Sequence, residues 1–158
     1  LVLGIIIWSI YYILDDSIYL ENDFAQRFDI PFLGMFTKNG SDACKQELKD
    51  NLAHICKADG KYYLVTWDNK LDASIETAMK EWLPAVCGTA SVQGEDLDTL
   101  RNSDGAIILL PWGSKNGRIA DKFIRFLAKQ DCKIAGAVLT DADDAFLKSY
   151  YFGKTMRK

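Results

Sequence analysis

Zinc-site spacing is missing from this chain of 158 residues. Its four cysteines, Cys44, Cys56, Cys87 and Cys132, are widely separated, no C-x-x-C occurs, and the single histidine is His54. Zinc centres draw on closely paired Cys and His ligands, so the pattern gives metal ligation no support. A long basic block is also missing: 19 Lys and Arg stand against 22 Asp and Glu, a formal net charge of −3. That balance gives no nucleic-acid footprint. The chain has no internal repeat and no low-complexity linker, and no glycine falls between Gly60 and Gly88. What remains is ordinary globular composition, 49% apolar and 26% charged, enough for one domain and an appendage. Cys44, Cys56 and Cys132 read as small core residues of a reducing compartment.

One hydrophobic run stands apart from that composition. Residues 1–14, LVLGIIIWSIYYIL, are interrupted only by Gly4 and Ser9 and stop at Asp15 and Asp16. Trp8, Tyr11 and Tyr12 crowd the later half, the residue types that collect where a membrane meets water. A full span needs about 20 apolar residues. The chain opens on Leu1, already inside the run, so the expectation is the last part of a transmembrane helix belonging to a longer protein. A first buried strand or core helix of a soluble domain is the alternative, but strands usually run about 4–8 residues. No basic leader and no small-residue cleavage pattern mark a secretory signal. Residues 15–30 follow as a juxtamembrane segment, with Leu20, Phe24 and Phe28 spaced for a short amphipathic helix.

From Pro31 onward the chain alternates. Apolar runs at 32–36, 61–67, 105–111 and 134–139, with a weaker one at 85–92, read as strands. Helical stripes lie between them: Cys44, Leu48, Leu52, Ile55 and Cys56; then Ile75, Ala78, Met79, Trp82 and Leu83; then Ile119, Phe123, Phe126 and Leu127. Leu97 and Leu100 mark a short helix, and another is expected around 143–151. Strands apolar on both faces, alternating with helices, predict an α/β domain over 31–152. Its core is a mostly parallel sheet of four or five strands with helices on both faces, and 153–158 form a tail.

In such a sheet ligands bind beyond the carboxyl ends of the strands. The segment after 61–67 reads Asp68, Asn69, Lys70, Leu71, Asp72, Ala73, Ser74. A phosphate loop needs glycines that free backbone N–H groups and a lysine followed by Ser or Thr. Neither is present, and Asp68 and Asp72 place negative charge where an anion would sit. The turn from Trp112 to Arg118 has two glycines and two cations, a composition shared by ordinary strand-to-helix turns. Asp141, Asp143 and Asp144 suit either magnesium or, better, the first turn of a last helix. His54 has no local nucleophile or metal partner. Tyr150 and Tyr151 near the C-terminus either pack on the sheet or accept phosphate. No catalytic, cofactor-binding or metal-ligating residue is assigned.

The order of these parts resembles the end of a bacterial polysaccharide chain-length determinant, or polysaccharide co-polymerase. The family's membrane exit, DDSI-x-x-x-x-D-x-x-x-x-x-x-I-P-x-L-G, matches Asp15, Asp16, Ser17, Ile18, Asp23, Ile30, Pro31, Leu33 and Gly34. Residues 45–152 are similar in layout to the tyrosine-kinase domain fused to or partnered with these proteins. ELKDNL, SDGAIILLPWG, KIAGAVLTDAD and the tyrosines of SYYFG carry that likeness. The kinases' phosphate loop and their further acidic motifs are not recognisable. The resemblance therefore implies a P-loop-NTPase-like layout without the phosphate loop, needing no cofactor.

It further implies a non-catalytic, membrane-anchored regulator of capsule or exopolysaccharide chain length and export, facing the cytoplasm of a bacterial cell. Its partners would be a tyrosine kinase, the polymerase and export machinery, or another copy of the chain, with no nucleic acid. Tethering at the membrane raises the effective concentration for such partners. The alternative is an ATP-dependent protein tyrosine kinase with an atypical nucleotide loop. A third reading is a soluble α/β binding domain.

Overall fold

A computed structural model describes residues 1–14, 24, 28–37, 42–66, 73–92, 94–112 and 116–142. The chain runs α1 (Val2–Leu14), β1 (Phe32–Thr37), α2 (Asp42–Ile55), β2 (Tyr62–Thr66), α3 (Ala73–Trp82), β3 (Val86–Ala90), α4 (Asp96–Arg101), β4 (Gly105–Pro111), α5 (Asn116–Lys129) and β5 (Ile134–Ala142). The five strands form one sheet in the order β1-β5-β4-β2-β3, and every neighbouring pair is parallel.

The central strands are the most apolar ones. Six consecutive residues of β4, Gly105 to Leu110, are buried because helices cover both of its faces. The period of two then sorts side chains into two core layers. Leu33, Leu64, Ile107, Leu109 and Val138 meet Leu48 and Leu52 of α2 and Ile75 and Met79 of α3. Met35, Val65, Ile108, Leu110 and Leu139 share the other layer with Leu100 of α4, with Ala120, Phe123 and Leu127 of α5, and with Phe24.

Local contacts end α3 and dock α4 and α2. Pro84, with no N–H to donate, follows the last turn of α3, and the Leu83 N–H still bonds the Met79 carbonyl at 2.9 Å. Arg101, in the last turn of α4, donates from Nε to the Gln130 carbonyl at 2.9 Å and ties α4 to the end of α5. Asn51 of α2 donates from Nδ2 to the Leu33 carbonyl at 2.7 Å and fixes that helix against β1.

The expected stripes on α2 and α3 face the core, with Leu48, Leu52, Ile75 and Met79 buried. On α5 the buried set is Ala120, Phe123 and Leu127, while Ile119 and Phe126 are only half-buried. The weak strand at 85–92 is β3, an edge strand. The expectation that Cys44, Cys56 and Cys132 are core residues holds for Cys56 and Cys132, whereas Cys44 is only half-buried. Cys87, on the edge strand β3, is exposed. All four are thiols.

Among the described residues, helix α1 contributes no buried side chain. Ile5, Ile6, Ile7 and Ile10 are between 49% and 64% exposed, and Trp8, Tyr11 and Tyr12 are at least 70% exposed. At 1.5 Å per residue its 13 residues make a rod of about 20 Å, short of the ~30 Å apolar thickness of a bilayer. Among the described residues no helix is long and apolar enough to cross a membrane.

Candidate functional site

The sheet order creates one place where outgoing connections diverge. After β2 the chain turns through α3 to β3 on one side, and after the neighbouring β4 it turns through α5 to β5 on the other. Right-handed crossovers in opposite directions put their helices on opposite faces. The two core layers show that division, α3 in one and α5 in the other. The carboxyl ends of β2 and β4 therefore border a topological switch point, the position at which open α/β sheets take ligands.

The described rim of this edge is built from Thr66, Pro111, Trp112, Thr140 and Asp141. Thr66 pairs with Leu109 and is half-buried. Trp112 leaves β4 with its N–H donating to the Thr140 carbonyl at 2.9 Å, and it packs against the α5-side core. The Thr140 hydroxyl donates to the Leu110 carbonyl at 3.3 Å, so the ends of β4 and β5 are laced together.

Beyond Thr140 the pairing with β1 slips. Met35 opposes Leu139, but Thr37 opposes Ala142, so β5 carries one residue more than β1. The extra length is accommodated by Asp141 at φ 58°, in the left-handed region that Asp tolerates better than most residues. The bulge leaves Asp141 exposed.

One further anionic group is fixed near this edge. The Ser91 N–H, just past β3, donates to Asp96 Oδ2 at 2.9 Å and holds that carboxyl below the usual carboxylate range. Deeper in the sheet, burial first and then the adjoining Cys87 push the Tyr63 phenol up. No group of three or more His, Cys, Asp and Glu suited to a metal occurs among the described residues. His54 is exposed on α2, remote in sequence from every strand end on this rim. The described rim thus presents the half-buried Thr66 and Trp112 and the exposed carboxylate of Asp141, while the Thr140 hydroxyl is bonded to the Leu110 carbonyl.

Comparison with protein-family models, with characterised proteins and with solved structures finds no match to this chain.

The residues singled out from sequence divide sharply. Pro31, Leu33 and Gly34 come together at the start of β1, where Leu33 and Gly34 are buried. Asp15 and Asp16, the loop from Asp68 to Asp72, Asp143 and Asp144, Tyr150 and Tyr151, and the helix expected at 143–151 lie outside the described residues. Of the 68–74 segment, Ala73 and Ser74 open α3 and are exposed. Of Leu20, Phe24 and Phe28, Phe24 is fully buried and Phe28 half-buried. The Asp141 bulge had no counterpart in the sequence reading. A polar Thr-Asp pair ending an apolar strand was its only signal.

Proposed function

We propose that this chain is the end of a membrane-anchored regulator of capsule or exopolysaccharide chain length whose cytoplasmic α/β domain works by binding other proteins. The observation that carries the reading is α1, a helix whose described large apolar side chains, from Val2 to Tyr12, are exposed. Exposed apolar surface on that scale marks a membrane or partner contact. The Trp and Tyr residues toward its later end suit a membrane boundary. The chain-length-determinant resemblance of residues 15–34 supports the same assignment. On this reading α1 is the cytoplasm-facing end of a membrane helix, and Pro31, Leu33 and Gly34 begin the domain it holds. The finer fold assignment, a P-loop-NTPase-like layout without its phosphate loop, belongs to the same proposal.

The test is retention of the tyrosine kinase or polymerase of the source organism on the immobilised chain. Capture of either supports the proposal, and capture of neither counts against it. The competing reading is a tyrosine kinase with an atypical nucleotide loop. It draws on the β2–α3 connection, which leaves the sheet at the switch point where a nucleotide would sit. Calorimetry with ATP and magnesium separates the two, since micromolar binding favours the kinase.

A further inference from the structure

Helix α5 carries its charge on one side. Arg118, Lys122, Arg125 and Lys129 are all exposed. At 3.6 residues per turn they fall within an arc of about 60° and form a ridge about 17 Å long. Asp121, the only acid of the helix, borders that ridge and is bonded to Arg125 Nε at 2.9 Å. The other described helices of the domain mix their signs. Lys45 and Lys49 alternate with Glu47 and Asp50 on α2, Glu76 pairs with Lys80 on α3, and Asp98 with Arg101 on α4. The whole chain has a net charge of −3, so the ridge is a local field set against the overall balance.

The ridge also lies on the side of the sheet that α1 feeds. Phe24 is buried in the same core layer as Phe123 and Leu127 of α5, with its ring 5.0 Å from Phe28 and 5.6 Å from Phe32. The chain from Leu14 to Phe24 reaches about 35 Å at most when fully extended. A bilayer that holds α1 is therefore within a short tether of the α5 face. Anionic leaflets attract clustered Lys and Arg over about a Debye length, and a helix presenting four cations in line matches a headgroup plane.

We propose that Arg118, Lys122, Arg125 and Lys129 dock the domain onto anionic phospholipid headgroups of the membrane in which α1 sits. This rests on the membrane reading of α1. Docking fixes which face of the sheet meets the bilayer and leaves the α2–α3 face for protein partners.

The test is partition of the full chain between buffer and vesicles of two compositions. One is phosphatidylcholine alone; in the other, phosphatidylglycerol replaces a third of it. The parent chain partitions more strongly onto the anionic vesicles, and the preference shrinks as salt is raised. The triple variant Lys122→Gln, Arg125→Gln, Lys129→Gln loses about a hundredfold of that preference, roughly fivefold per cation. Its affinity for neutral vesicles stays unchanged. Equal partition of the parent on both compositions, or a preference the variant retains, overturns the proposal. Ridge-dependent capture of RNA without any lipid preference also overturns it. A chain that ignores neutral vesicles yet keeps a ridge-dependent anionic preference removes the α1 reading and leaves the ridge standing.

Discussion

Leu33 closes over Gly136. A Cβ at Gly136 would stand 2.6 Å from Leu33 Cγ and 2.9 Å from the Pro31 carbonyl oxygen, so β5 has no room for a side chain there. The same Pro31 carbonyl accepts the Ala137 N–H at 3.0 Å. On β1 itself, Gly34 at φ 151° lets α2 approach until a Cβ would lie 3.1 Å from Leu48 Cβ. The Pro31, Leu33 and Gly34 group is thus the joint where the first strand meets both the last strand and the first helix of the domain.

Gly136→Ala is expected to destabilise the domain by about 1–3 kcal/mol, the usual range for forcing extra volume into a packed core. Urea unfolding with an unchanged slope and a lowered midpoint would show it. An unshifted midpoint would mean that Leu33 can retreat, and that β1 and β5 are less tightly matched than these distances require.

Phe123→Ala removes a fully buried ring from the layer between α5 and the sheet and should cost about 3–5 kcal/mol. Lys122→Ala, one position away but exposed, should change stability by less than about 0.5 kcal/mol. Thermal unfolding of the two variants side by side checks that the buried stripe of α5 is assigned to the correct face.

Asp96 gives a pH dependence of definite sign. Its carboxyl is held below the ordinary value by the Ser91 N–H, so the folded state binds its proton less readily than the unfolded chain. The resulting stabilisation is complete above the unfolded carboxylate value of about 4 and fades as pH falls through the lower native one. Asp96→Ala should therefore be less stable than the parent at pH 7, and the gap should close under strongly acidic conditions. A gap that persists unchanged at low pH would assign it to packing.

Thiol reactivity should follow exposure. Cys87 on the open edge of β3 should react first with a maleimide in the native state. Cys56 is buried and its thiol is pushed up to about 11 by that burial, so it should react only after denaturation. Cys132 should lag as well, since burial raises its thiol, aided by Asp131 and opposed by the charge of Arg101. Mass spectrometry of labelled peptides gives the order, and early labelling of Cys56 would mean that the end of α2 opens readily.

The α/β character was legible because β4 and the apolar part of β5 are continuous hydrophobic runs, which only a sheet covered on both faces accommodates. The stripes of α2 and α3 were legible through their spacing. Strand β3 read weakly because an edge strand buries only part of itself: Val86 and Ala90 are inside while Cys87 and Thr89 face out. The strand order was not legible, since no local pattern records that β1 lies beside β5. Nor was the αL turn at Asp141, which arises from a mismatch in register between two distant strands. On the candidate edge, sequence reasoning pointed to the loops after β2 and β4, and the structure adds the lacing of Thr140 to Leu110 and Trp112.

Placing the first strand beside the last has a consequence for how the protein is made. While the ribosome is still synthesising the middle of the chain, β1 has emerged but its hydrogen-bonding mate has not. Leu33 can be covered early by α2, but Met35, whose layer is completed by α5 and β5, must wait until residues 134–142 clear the exit tunnel. Long-range parallel pairing of this sort forms late. A nascent polypeptide stalled before that point would expose a sticky, half-finished sheet to chaperones and proteases.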